Sequence, residues 1–154
     1  MTEDVRWLSS AEQRAWRAYL RSHRMLWVAL DQQLQRESGM PHAYYLILVA
    51  LSECPDRTSS MTDLAGMAGT SPSALSHAIG KLEAQGWVSR CRSSGNARVV
   101  LATLTDAGFA ALAEAAPGHV SEVRGRIFDR LSPEQVEQLR EICESIAGDD
   151  PAWP

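Results

Sequence analysis

The stretch MTDLAGMAGTSPSALSHAIGKLEAQGWVSRCRSSGNARVVLATLTDAG, residues 61–108, decides the fold of this 154-residue chain. Met61-Thr62-Asp63 opens a short helical segment that stops near Gly69, and Thr70-Ser71-Pro72 starts a second helix. Ser71 suits the capping position, and Pro72 the first helical position, where a missing N–H is no loss. Leu75, Ile79 and Leu82 recur on one face, and Gln85-Gly86 closes the helix. Trp87-Val88-Ser89-Arg90 and Val99–Leu104 flank a Ser93-Ser94-Gly95-Asn96 tip, which predicts two short strands joined as a hairpin.

Two helices about the Gly69-Thr70 turn, followed by a hairpin, describe a helix-turn-helix with a wing. Such a turn holds its second helix proud of the body, where it fits the ~12 Å major groove of DNA. With Leu75, Ile79 and Leu82 inward, Ser73, Ser76, His77, Gly80 and Lys81 point outward. Small hydroxyls permit close approach, His77 offers a donor to a base edge or phosphate, and Lys81, the only lysine of the chain, suits a phosphate. The helix start at Ser71 adds backbone donors and a partial positive charge for another phosphate. Arginines on a wing reach the adjacent minor groove and read its width, which makes Arg92 and Arg98 candidates there.

The charge distribution fits this arrangement better than the net value of −4 suggests. Residues 54–104 carry five basic against three acidic groups, with Lys81, Arg90, Arg92 and Arg98 close together, whereas residues 105–154 carry four arginines against ten acids. A basic reading element on an acidic body is the expected result.

Working outward, residues 10–38 form a long helix whose Trp16, Tyr19, Leu20, Leu26, Trp27, Leu30 and Leu34 keep a helical stripe, stopped by Gly39 and Pro41. A second helix over 41–53 is apolar nearly all round, and Cys54-Pro55-Asp56-Arg57 ends it in a polar turn. After the hairpin, Thr105 caps a fifth helix that continues its stripe through Phe109, Leu112, Ala116, Val120, Val123 and Ile127 to Leu131. Pro117-Gly118 is expected to kink or interrupt it, since proline removes a backbone donor and crowds the preceding turn. Ser132-Pro133 starts the last helix, with Val136, Leu139, Ile142, Cys143 and Ile146 on one face, and the tail from Gly148 to Pro154 is expected to fray unless Trp153 docks. The fold class is thus mostly α with a small β wing, in one domain over 1–154. The winged helix-turn-helix occupies 41–104, and the helices of 1–38 and 105–147 have more apolar surface than that unit can cover. Pairing with a second copy buries it, so a homodimer is expected.

Other classes find little support. There is no Gly-rich phosphate loop and no Gly-x-Ser-x-Gly, so an enzyme is not expected. His23, His42, His77 and His119 form no chelating pair at helical spacing, and no metal or cofactor is expected. The apolar run Tyr44–Leu51 spans eight residues, far short of the roughly 20 that cross a bilayer, and the charged first thirty residues do not read as a signal peptide. Cys54, Cys91 and Cys143 are odd in number and widely spaced, which suits a reducing cytoplasm.

Leu64-Ala65, the Ser71–Leu82 helix, the run Leu82-Glu83-Ala84-Gln85-Gly86-Trp87-Val88-Ser89-Arg90, then Arg98 and Leu104-Thr105-Asp106-Ala107-Gly108, together resemble the signature of the MarR family of winged-helix transcriptional regulators. The resemblance implies a repressor that binds double-stranded DNA at a pseudo-palindromic operator as a homodimer. On the matching positions it implies DNA contacts by Ser71, Ser73, Ser76, His77, Lys81, Arg90, Arg92, Asn96 and Arg98. The family's wing carries Asp-x-Arg where this chain has Asn96-Ala97-Arg98. Asn96 either accepts the bond the acid would accept or serves the turn conformation. The resemblance also implies a small aromatic effector in a cleft lined by Trp16, His23, Trp27, Tyr44 and Tyr45; packing of the same rings in core and interface is the competing account. Cys91, between Arg90 and Arg92, is either an oxidisable thiol of lowered pKa or an inert one. The rival to a DNA-binding repressor is a winged-helix dimer that binds a ligand or protein and little or no DNA.

Overall fold

The structure, a computed structural model, describes residues 5–148. The tail beyond Gly148, including Trp153, lies outside the described residues. Helix α1, Ser10–Ser38, is entered through a capping box in which the Ser9 hydroxyl accepts from the Glu12 N–H and Glu12 reaches back to the Ser9 N–H. It ends at Gly39, whose φ of 62° is the left-handed stop expected there. Helix α2, His42–Glu53, follows at once and buries His42, Tyr45, Ile47, Leu48, Ala50 and Leu51.

A 3-10 turn over Pro55–Arg57 leads into a strand that periodicity did not signal: β1, Thr58–Ser60. Its three residues have no apolar alternation, yet they pair antiparallel with β3, Val100–Leu104, which also pairs with β2, Val88–Arg92. The expected two-stranded hairpin is therefore a three-stranded sheet in the order β1-β3-β2. Helices α3, Met61–Met67, and α4, Pro72–Ala84, lie between β1 and β2 in sequence.

Helix α5, Asp106–Arg126, is capped by Thr105 as expected. It is not interrupted at Pro117-Gly118. Pro117 is on the exposed face and forfeits one helical bond, while Gly118 is where α5 closes on α1: a Cβ there would stand 2.5 Å from Glu37 Oε2 and 2.8 Å from Gln33 Nε2. Gly118 permits close helix packing, and the helix runs on through Pro117 without a break. The helix does stop before Leu131, giving way to a 3-10 turn over Phe128–Arg130, after which Ser132 and Gln135 form a second capping box at the start of α6, Pro133–Ala147.

One core joins these parts. Leu34 and Met40 meet Leu48 and Leu51 of α2, Leu64 of α3, Leu75, Ile79 and Leu82 of α4, Val88, Ala102 and Leu104 of the sheet, and Leu112 and Ala115 of α5. Only the end of α1 and the first half of α5 reach it. The start of α1 and all of α6 leave Trp16, Tyr19, Leu20, Leu139, Ile142 and Ile146 exposed. No helix among the described residues is long and apolar enough to cross a membrane.

Candidate nucleic-acid interface

Helix α4 is anchored by complete burial of Leu75, Ile79 and Leu82, each worth about 1.5–3 kcal/mol against exposure. That anchoring fixes what faces out. Ser71, Ser73, Ser76, His77 and Lys81 are all exposed, and Gly80 between them is half-buried. Ser71 caps the helix by accepting from the Ala74 N–H at 3.2 Å, with Pro72 in the first turn. The turn from α3 is tight because Gly69 takes a φ of 58°, which lets the Thr70 N–H return to the Ala65 carbonyl at 3.0 Å. The three serines and His77 thus share one convex, solvent-facing surface.

The wing tip, residues 93–99, is closed by Ser93 N–H to Val99 O and Val99 N–H to Asn96 O, both 2.9 Å. Asn96 Oδ1 accepts from the Arg98 backbone N–H at 3.1 Å, an Asx turn. Asn96 therefore shapes the tip through the backbone of Arg98 and not through its guanidinium. Arg92, Asn96 and Arg98 are exposed, and so is Cys91 on β2.

Arg90 is placed differently from Arg92 and Arg98. Its Nε donates to Glu83 Oε2 at 2.8 Å and its Nη2 stands 2.5 Å from the same oxygen. Arg57 is engaged as well, with Nη1 3.1 Å from Asp106 Oδ1 and the guanidinium 4.0 Å from the centroid of Phe109. Of the five basic side chains in 54–104, Lys81, Arg92 and Arg98 take part in none of the ion pairs among the described residues. Glu83 was invisible to sequence reasoning as a partner; the only signal was an acid in the last turn of a helix and a base seven residues on, across a Gly turn.

The expected effector residues divide. Trp16, Tyr19, His23 and Trp27 stack along α1 with successive ring centroids 6.0, 6.1 and 5.2 Å apart. Trp27 continues edge-on to His42 at 4.6 Å, His42 to His119 of α5 at 5.4 Å, and His119 to Tyr45 at 4.3 Å. Tyr44 is half-buried against the core and is not in that series. His42 and His119 were not singled out as site residues, because nothing in their spacing reveals that α5 brings them together. Burial holds the His42 imidazole at a pKa of about 4, helped by neighbouring His119 and opposed by Asp31, whose Oδ1 accepts from the backbone N–H of His42 at 2.9 Å. Burial lowers His119 and raises Tyr45. The Nδ1 atoms of both histidines and Oε1 of Gln33 are buried without a hydrogen-bond partner among the described residues. A separate cleft of about 220 Å³ is lined by Glu37, Met40, Trp87 and Glu114, among others, and includes none of the expected effector residues.

Known proteins resemble the chain throughout. The MarR family model matches residues 38–99. An HTH-type transcriptional repressor from Mycobacterium bovis is 32% identical over 111 residues, covering 72% of this chain and 78% of the relative. The crystal structure of Sco3205, a MarR family transcriptional regulator from Streptomyces coelicolor solved in complex with DNA, is 45% identical. It covers 99% of both chains with a TM-score of 0.89. AbsC, a MarR family regulator from the same organism, is 37% identical, with a TM-score of 0.86 over 93% of this chain and 96% of its own.

Proposed function

The chain belongs to the MarR family of transcriptional regulators, and on that premise we propose that it represses transcription by binding a pseudo-palindromic operator as a homodimer. The observation that carries this is the exposed face of α4, where Ser71, Ser73, Ser76, His77 and Lys81 stand clear of a fully buried anchor. In the complex α4 lies in the major groove, with the serines and His77 at base edges and Lys81 on phosphate, while Arg98 enters the minor groove. Arg92 and the Ser71 end of α4 add backbone contacts.

The dimer is supported by α6, which has no buried residue in the single chain although Leu139, Ile142 and Ile146 share one face. Together with Trp16, Leu20 and Val120 they need a second copy to leave water. A small aromatic effector is supported by the ring series that runs from Trp16 on the uncovered helix to Tyr45 in the DNA-binding body. It passes between the two parts whose relation sets the spacing of the recognition helices. The protein acts in the cytoplasm, on double-stranded DNA.

Selection from a random duplex library tests the reading. The enriched sites should be inverted repeats with half-site centres about one helical turn, ~34 Å, apart. Failure to enrich any sequence would overturn it.

A further inference from the structure

We propose that Arg90 is a positioning residue and not a DNA contact: it ties the wing to the recognition helix through Glu83, so that the two reach the groove at a fixed angle. The proposal rests on the DNA-binding reading above and refines it. Glu83 sits in the last turn of α4, and Arg90 is the third residue of β2. Between them the chain reverses through Gly86, whose φ of 74° needs glycine, and the Trp87 N–H returns to the Leu82 carbonyl at 3.0 Å. A turn of this kind fixes where β2 begins, and pairing with β3 holds the two strands together, but the tilt of that ribbon against α4 is left to side-chain contacts. Arg90 supplies one. Its Nε and Nη2 both converge on Glu83 Oε2, at 2.8 and 2.5 Å, and the two side chains are only 33% and 30% exposed. The pair remains partly open to solvent, so its two bonds to one carboxylate oxygen fix direction more than they add stability.

Side-chain alternation along β2 sharpens the point. Arg90 follows Val88 on the same face of the strand, and Val88 is buried against the core. Arg90 thus shares its face with Arg92, and what separates the two is Glu83, which holds the Arg90 guanidinium while Arg92 takes part in none of the ion pairs among the described residues. The cross-strand neighbour of Arg90 is Ala102, which is fully buried and leaves the arginine stem room to lie flat. A guanidinium already neutralised by a carboxylate releases few counterions when DNA arrives, so it adds little to the salt dependence of binding.

The two roles separate experimentally. A phosphate contact supports every duplex alike, whereas a residue that sets the angle between helix and wing supports the matched operator and hardly the rest. Affinities for a library-selected duplex and for a scrambled duplex of equal length should be measured over a range of salt for the parent protein, R90A, R90K, E83A and R90A/E83A. Positioning predicts that R90A and E83A each lower the affinity for the selected site by about tenfold, and the double variant by no more than either single change. The scrambled duplex should be affected less than twofold, with an unchanged salt slope. R90K keeps the charge but cannot bring two N–H groups to one oxygen from a planar fork, so it should behave like R90A. The proposal is overturned if R90K binds like the parent, if E83A binds more tightly, or if R90A weakens both duplexes equally and lowers the slope by nearly two units per dimer. Absence of a salt-sensitive complex with the parent itself would instead remove the DNA-binding reading on which the proposal stands.

Discussion

Gly108 lies so close to Trp87 that a Cβ built on it would overlap the Trp87 carbonyl oxygen and stand 2.7 Å from Leu104 Cδ1. The same carbonyl accepts from the Thr105 N–H at 3.0 Å, and the Thr105 hydroxyl donates to Gly86 O at 2.7 Å. The first turn of α5 is thereby clamped onto the Gly86-Trp87 turn that links the recognition helix to the wing. The Leu-Thr-x-x-Gly motif has a physical meaning: threonine caps the helix and reaches the turn, and glycine leaves room for it.

Gly108→Ala should therefore destabilise the protein by at least about 1–3 kcal/mol, because the obstructing atom is backbone and cannot rotate away. Gly118→Ala should cost less, since its neighbours are the side-chain ends of Glu37 and Gln33. Gly66→Ala, with nothing within 4 Å in helix α3, should be neutral or stabilising by up to about 1 kcal/mol. Denaturant unfolding at one protein concentration ranks the three; equal losses at Gly108 and Gly66 would contradict the close approach.

Stability should fall on mild acidification. His42 is neutral when folded because its pKa is held at about 4, whereas in the unfolded chain it titrates near 6.5. Its contribution is complete well above pH 6.5 and is lost as pH falls toward 4, with about 2 kcal/mol of it gone by pH 5. His119, lowered by the same burial, acts in the same direction. Unfolding free energies at pH 7 and pH 5 check this, and His42→Phe should flatten the difference. A parent protein equally stable at both values would contradict the buried neutral pair.

Arg98→Ala should weaken binding to all duplexes and reduce the salt slope by about one unit for each protomer. Asn96→Ala should lower affinity by a few fold with little change in slope, because it removes the Asx turn rather than a charge. Asn96→Asp should retain the turn. Fluorescence anisotropy titrations against salt distinguish these outcomes, and an unchanged affinity for Arg98→Ala would mean that the wing does not touch DNA.

Ser76 and His77 changes should alter which site is selected rather than how tightly DNA is held overall, since base contacts specify and phosphate contacts position. Repeating the library selection with Ser76→Ala and His77→Ala checks this; identical enriched sequences would remove both residues from the readout.

Local rules made most of the fold legible. The capped starts at Ser71, Thr105 and Ser132, the Gly39 stop and the stripe of Leu75, Ile79 and Leu82 all signal through neighbours in the chain. What escaped depended on partners distant in sequence. Strand β1 exists because Thr58–Ser60 lie beside Thr103–Leu101, with the Thr58 and Thr103 hydroxyls 2.8 Å apart, and three polar residues carry no periodicity of their own. Pro117-Gly118 reads as a break until α1 is seen packed against it. In the candidate site, the exposed face of α4 followed from its buried face, but the Glu83–Arg90 pair and the meeting of His42 with His119 are products of tertiary packing. The five basic residues of 54–104 are of two kinds: Lys81, Arg92 and Arg98 without ion-pair partners among the described residues, and Arg57 and Arg90 held by acids.

That division bears most directly on DNA binding, and one measurement tests it: the salt dependence of affinity for a library-selected duplex, with stoichiometry determined on the same complex. Lys81, Arg92 and Arg98 on each of two chains, each displacing about one counterion from the duplex, give a slope of log Kobs against log salt near −5. A complex of two chains per duplex with a slope in that range is the predicted result. A salt-insensitive complex, a single chain per duplex or no complex at all would contradict the account.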